Sequence, residues 1–267
     1  MNPFEFDYVN WLLEREAWEE SPREMKENKL ANIVGNIAED IFNRVKDYCE
    51  DENNKEYDGE WVRCVADHNP DKFDVFVNRF LDEEEAKELK RLIEENPDVY
   101  KSPDELWNEL KLNYSVFWSL WMISEIDELL GSLITKSVHF IASRSELNSS
   151  CKIKRLKDYA IMLDSFRKAI KNALKEERPL SKNKLYDWFI RLYDAGLRDD
   201  IYLNRDAWSN TVNYWLNFYD MLPNFDKLEL LKMLYNNIID AFDEIRRKEE
   251  IIEREESLNQ GVLTNER

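Results

Sequence analysis

Glu125, Glu128, Ser132, Thr135 and His139 fall three, four, three and four residues apart. That spacing puts them on one face of a helix. Two carboxylates and an imidazole are the groups of general acid–base chemistry. On a straight helix, however, Glu125 and His139 stand about 21 Å apart at 1.5 Å per residue. One reacting centre cannot span that distance, so the stripe is expected to meet solvent or polar groups of a neighbouring helix. Cys151 precedes Lys152 near an expected helix start, where a thiolate is favoured. No His is placed to serve it as a base, and an ordinary surface thiol is the expectation.

Other chemistries leave stronger marks, and they are missing. Neither His68 nor His139 sits in an ExxH or HExxH pattern, no Cys pair has zinc spacing, and no DxDxDG-like loop occurs. No metal is therefore expected. The chain has 5 Gly and contains no GxxxxGK[ST], GxGxxG or GxSxG motif. Phosphate-cradling loops and nucleophile elbows need such glycines. No cofactor and no catalytic residue is expected as the leading reading.

Arg63 and His68 stand in an R-x4-H arrangement. It resembles the short ribonuclease signature of HEPN domains. That resemblance implies a helical bundle and metal-independent RNA cleavage, with Arg63 and His68 acting on the 2′-OH at a dimer interface. It covers these two residues alone. Cys64 follows the Arg, where the family usually carries a polar residue, and the family's motif sits on a long helix. His68 before Asn69 and Pro70 reads more simply as a loop residue ahead of a helix cap.

Charge is the most distinctive property. Residues 1–135 hold 15 Lys+Arg and 34 Asp+Glu, whereas residues 136–267 hold 23 and 22. So lopsided a chain presents an anionic region suited to a cationic partner. Glu14, Glu16, Glu19, Glu20, the 50–60 segment and the run Asp82, Glu83, Glu84, Glu85, Glu88 supply the acid density. Residues 152–184 reverse the sign, with 11 Lys+Arg and 4 Asp+Glu. Lys154, Lys157, Lys168, Lys171 and Lys175 fall on the polar side of an amphipathic pattern. They are candidate phosphate contacts, with Tyr159, Tyr186 and Trp188 as candidate stacking rings.

The elements that must carry these groups read as helices. Low Gly, 43 % apolar and 13 % aromatic residues favour a packed all-α fold. A first helix is expected over 4–19. A second opens at Ser21 and Pro22 and carries Leu30, Ile33, Val34, Ile37, Ile41, Val45 and Tyr48 at helical spacing. The 49–60 stretch is the clearest loop. Residues 60–67 are ambiguous and admit a short hairpin with 73–77. Asp82 and Glu85 form a capping box, and Ser102 with Pro103 opens the longest apolar element, through about 143. There Leu106, Leu110, Tyr114, Phe117 and Trp121 trace one face, large apolar side chains surround the axis between 116 and 133, and Gly131 marks a close crossing or a bend. Later helices are expected over 152–178, ended by Pro179, then over 182–195, 205–222 and 225–256.

The expected architecture is an irregular bundle of about nine helices in two lobes, 1–147 and 148–267, meeting at the polar joint 143–150. Three Cys in no paired framework fit a reducing cytosol. The acidic amino terminus lacks the marks of a signal peptide, and the longest uncharged runs, 113–124 and 207–219, are too short to span a bilayer. The chain reads as a soluble cytoplasmic protein. Its leading function is that of a non-enzymatic interaction protein, an inhibitor, adaptor or nucleic-acid mimic, whose acidic lobe binds a basic protein partner. A nucleic-acid-binding accessory subunit and a HEPN-like ribonuclease are the alternatives, and homo-oligomers are compatible with each.

Overall fold

The structure is a computed structural model and describes residues 22–57, 60–197 and 204–265. Among them are nine α-helices, one 3₁₀ turn and no strand. The helices are α1 (Pro22–Glu50), α2 (Trp61–Asp67), α3 (Phe73–Phe80), α4 (Glu83–Glu95), α5 (Pro103–Ser143), α6 (Ser149–Lys175), α7 (Lys182–Gly196), α8 (Arg205–Met221) and α9 (Asn224–Asn265). The expected all-α fold is present. The helix expected over 4–19, with Glu14, Glu16, Glu19 and Glu20, lies outside the described residues. No described helix is long and apolar enough to cross a membrane.

The admitted hairpin over 60–77 is absent. That stretch is α2, the turn Pro70–Lys72 and α3. Phe73, Phe76, Val77 and Phe80 are all buried, at intervals of three, one and three, while Val75 between them is exposed. That is a helical face, not a strand's alternation. Seven residues are too few for α2 to persist alone in water; packing against α1 holds it.

Caps set most of the helix starts. Asp82 accepts from Glu85 N at 2.8 Å while Glu85 accepts from Asp82 N at 2.9 Å, the expected reciprocal box. Asn148, Ser181 and Asn204 accept from the third residue of α6, α7 and α8. α6 ends at Lys175, four residues before Pro179. Glu177 takes φ 50°, and Arg178 N donates to Ala173 O at 3.0 Å and Glu177 N to Leu174 O at 3.3 Å. These two bonds satisfy carbonyls of the last turn and reverse the chain.

Chain contacts divide the protein inside α5, between Trp118 and Ser119. In the first unit, α1 packs against α2, α3 and α4. Its core includes Val34, Ile41, Val45, Phe73, Val77, Leu110 and Tyr114, all fully buried. In the second, α6 packs against α9 and α7, and α7 against α8. Leu156, Tyr159, Leu163, Phe166 and Ile170 form the inner face of α6, opposite Lys154, Lys157, Lys168, Lys171 and Lys175. Three buried aromatics of this unit find backbone partners: Tyr159 Oη donates to Ile134 O, Trp208 Nε1 to Phe189 O and Tyr219 Oη to Leu180 O.

α5 departs from the all-round burial read from its sequence. Leu110, Tyr114, Trp118, Met122, Ile126 and Leu130 are buried, but Leu112, Val116 and Leu120 are exposed. Apolar composition names a helix that can be covered; neighbours decide which sides are.

Candidate functional site

The densest chemistry lies where α1, α2 and the 51–60 loop meet. Cys49, in the last turn of α1, and Cys64, in the middle of α2, are joined by a disulfide with Cα atoms 5.4 Å apart. This overturns the expectation that the three cysteines form no pair. Fifteen residues separate the two in sequence, and only the return of α2 onto α1 brings them together. Cys151 stays free and exposed.

His68 caps α2 one turn after Cys64. Its Nδ1 lies 2.7 Å from Cys64 O, 3.6 Å from Cys64 Sγ and 3.9 Å from Cys49 Sγ. The carbonyl contact selects the tautomer with hydrogen on Nδ1. The side chains of Tyr48, Tyr57, Phe76 and Phe80 ring the imidazole at centroid distances of 5.0–6.0 Å. His68 is 3 % exposed. Burial pushes its pKa below the usual imidazole range, outweighing the bond to Cys64 O. Tyr114 Oη donates to His68 O at 2.7 Å and fixes the main chain.

The loop that the disulfide closes is pinned as well. Asn54 Nδ2 donates to Tyr48 O at 2.7 Å, and Tyr57 is buried. Glu56 accepts from Tyr48 Oη and, at 2.7 Å, from Arg79 Nη1. Those two bonds hold its carboxyl below the ordinary range. Arg79 also lies over the Tyr48 ring, 4.4 Å from its centroid. A stretch legible only as acidic and polar thus packs over a buried Cys–Cys–His cluster.

The R-x4-H pair is not assembled as an open catalytic face. Arg63 points to the surface, 4.0 Å from Glu60, while His68 is enclosed by rings. A buried imidazole bonded to a carbonyl has no path to a ribose hydroxyl.

The acids nominated on α4 are divided in their roles. Glu85 and Asp82 both bind Arg44, at 2.7 and 3.2 Å, besides forming the cap. Glu84 pairs with Lys87 and Glu88 with Arg91. Of the five, Glu83 alone has neither an ion pair nor a side-chain hydrogen bond among the described residues. A second acidic surface runs down the end of α1; Glu50 and Asp51 belong to the 50–60 segment read from sequence, whereas Glu39, Asp40 and Asp47 do not. Glu39, Asp40, Asp47, Glu50 and Asp51 are exposed; Glu50 pairs with Lys46 at 3.8 Å, and Asp40 acts electrostatically on Arg44. The i, i+3 and i+4 spacing of Asp47, Glu50 and Asp51, two helical turns beyond Asp40, is its available signal.

The basic residues of α6 do share one exposed side. Lys168 pairs with Asp164 at 2.7 Å, and Lys154, Lys157, Lys171 and Lys175 have no ion pair among the described residues. The proposed stacking rings are engaged elsewhere. Tyr159 is fully buried, Trp188 stacks on Phe166 at 5.4 Å, and Tyr186 Oη bonds Ser209 Oγ.

The α5 stripe does not converge. Ser132 and Thr135 donate to carbonyls of their own helix, and His139 Nε2 lies 3.5 Å from Glu244 on α9. Glu244 is shared with Arg247 and Lys248.

No protein-family model, no curated protein and no solved structure matches the chain.

Proposed function

We propose that the chain is a non-enzymatic interaction protein whose acidic amino-terminal part binds a basic protein partner. The observation that carries this reading is the acid ladder at the end of α1. Asp47, Glu50 and Asp51 crowd the negative end of the helix dipole, and no basic residue lies in the last turn. Carboxylates there cost stability, by about 0.3–1 kcal/mol each. A fold that tolerates them concentrates negative potential at one exposed place. The wider charge agrees: residues 1–118 hold 15 Lys+Arg against 31 Asp+Glu, and residues 119–267 hold 23 against 25. Glu39 to Asp51 spans roughly 18 Å of helix. The five acids fall in two groups, Glu39–Asp40 and Asp47–Asp51, with Arg44 and Lys46 between them, far below the duplex density of one charge per about 1.7 Å. A basic protein surface fits that density better than a duplex-binding groove.

Affinity for a defined basic protein, read at two salt concentrations, tests this. Glu39→Lys/Asp40→Lys/Asp47→Lys should weaken binding at least tenfold and flatten its salt dependence, with Tm unchanged or higher. Equal binding by wild type and variant would sink the reading.

A second reading rests on α6. Its four unpaired lysines and Lys168 lie along roughly 32 Å of one helix face, a length suited to successive phosphates. Titration with single- and double-stranded nucleic acid at low salt separates the two readings, since the α1 reversals leave this face intact.

A further inference from the structure

We propose that Cys49, Cys64 and His68, when the disulfide is reduced, form a binding site for one thiophilic divalent cation of the zinc class. The three side chains offer two sulfurs and one imidazole nitrogen that all lie within 4.8 Å of one another. In a zinc centre with bonds of about 2.3 Å to sulfur and 2.0 Å to nitrogen, S···N edges are about 3.5 Å. The observed Nδ1···Sγ separations of 3.6 and 3.9 Å are near that value before any rearrangement. Two of the three edges of the ligand triangle therefore already exist in the disulfide form.

The surroundings suit a metal of this charge. Two thiolates cancel a divalent ion, so the loaded centre is neutral, as an aromatic enclosure requires. Tyr114 holds the His68 main chain and four rings surround the imidazole, so the ligand nitrogen stays beside the two sulfurs. The Nδ1 hydrogen must leave, moving to Nε2 as the ring changes tautomer, and the ring must turn so that the freed Nδ1 lone pair swings from Cys64 O, 2.7 Å away, toward the sulfurs. Cys64 O then loses the ring donor but keeps His68 N at 3.1 Å, so no carbonyl is orphaned. Three protein ligands fill three of the four tetrahedral positions of a zinc-class ion.

The chemistry balances simply. A dithiol reductant gives two electrons and two protons to the Cys49–Cys64 bond and becomes a disulfide. Metal uptake then releases both thiol protons. Disulfide and metal are mutually exclusive, so the centre reports on its redox surroundings.

The test uses the full chain, reduced anaerobically, freed of reductant and titrated with Co²⁺ alone. One equivalent should bind, giving thiolate-to-cobalt charge-transfer absorption and strong visible bands. The oxidised chain should give neither. His68→Ala should weaken binding at least tenfold, and Cys64→Ser should remove the charge-transfer band or halve it. The wild-type chain in its two redox states is the decisive pair, because it needs no variant to fold. A reduced chain that keeps its helical circular dichroism yet takes up no cobalt overturns the proposal. Where reduction itself lowers helicity, recovery with one equivalent of Zn²⁺ supports the site, and failure to recover refutes it.

Discussion

The side-chain amide of Asn237 on α9 occupies the place where a Cβ of residue 131 on α5 would project: such an atom would lie 2.8 Å from Asn237 Cγ. The same amide donates to Asp127 Oδ1 at 2.7 Å, one turn before Gly131. Gly131 is therefore a packing position, required by its neighbour and not by its own backbone.

Gly131→Ala gains about 1 kcal/mol of helix propensity. It must also push the amide away from a half-buried carboxylate, losing a bond worth about 1.5–3 kcal/mol. The net expectation is destabilisation of roughly 1 kcal/mol, read by urea unfolding. In an Asn237→Ala background the obstacle is gone, and the same substitution should stabilise. A sign that does not invert between the two backgrounds counts against this account.

Asp127 has its pKa raised by burial, with the Asn237 bond pulling the other way. A carboxyl raised in the folded state contributes stability below its unfolded pKa, and that contribution is lost as pH rises through the folded value. Asp127→Asn removes this loss while keeping an acceptor for Asn237. Its Tm should exceed that of wild type at neutral pH, and the two should converge below about pH 4. A difference that grows with acidity would contradict this assignment.

Reduction of Cys49–Cys64 frees a loop of 15 residues. Loop-closure entropy sets the cost on the order of 3 kcal/mol. Without added metal, reductant should lower the thermal midpoint of the chain, and Cys151→Ser should leave that drop unchanged. Identical midpoints with and without reductant would show that the cross-link stabilises nothing.

His68→Ala opens a cavity among four rings and should cost about 3 kcal/mol, as other large buried truncations do. Arg63→Ala, at the surface, should stay within about 0.5 kcal/mol. An RNA cleaved by the wild-type chain and spared by Arg63→Ala would instead favour the ribonuclease reading.

Glu177 occupies the left-handed region at φ 50° after the α6 cap. Glycine adopts it without the Cβ penalty of about 1 kcal/mol. Glu177→Gly should stabilise by roughly 0.5 kcal/mol once the looser unfolded chain is counted. Chemical denaturation of the two forms checks the sign.

Local chemistry made much of the fold legible in advance. The Asp82–Glu85 box, the opening of α5 at Pro103, the inner stripe of α6, the boundaries of α7 and α8 and the start of α9 all depend on residues within a turn or two of each other, where capping and periodicity act directly, whereas α9 runs to Asn265, past the expected end at 256. Gly131 reads as a close crossing or a bend because a bare glycine in an apolar helix needs a reason, and the neighbouring Asn237 amide makes it the crossing. The charge imbalance was complete in composition alone. What tertiary structure decided is which distant groups meet. Cys49 and Cys64 carry no motif, and their pairing with His68 exists because α2 folds back on α1 and buries all three. Asp82 and Glu85 read as a capping box and as acid density, while their pairing with Arg44, about forty residues earlier, exists only in the fold. Spacing along a chain reports its neighbours on one helix; contact between helices depends on loop paths and burial, which no single segment encodes.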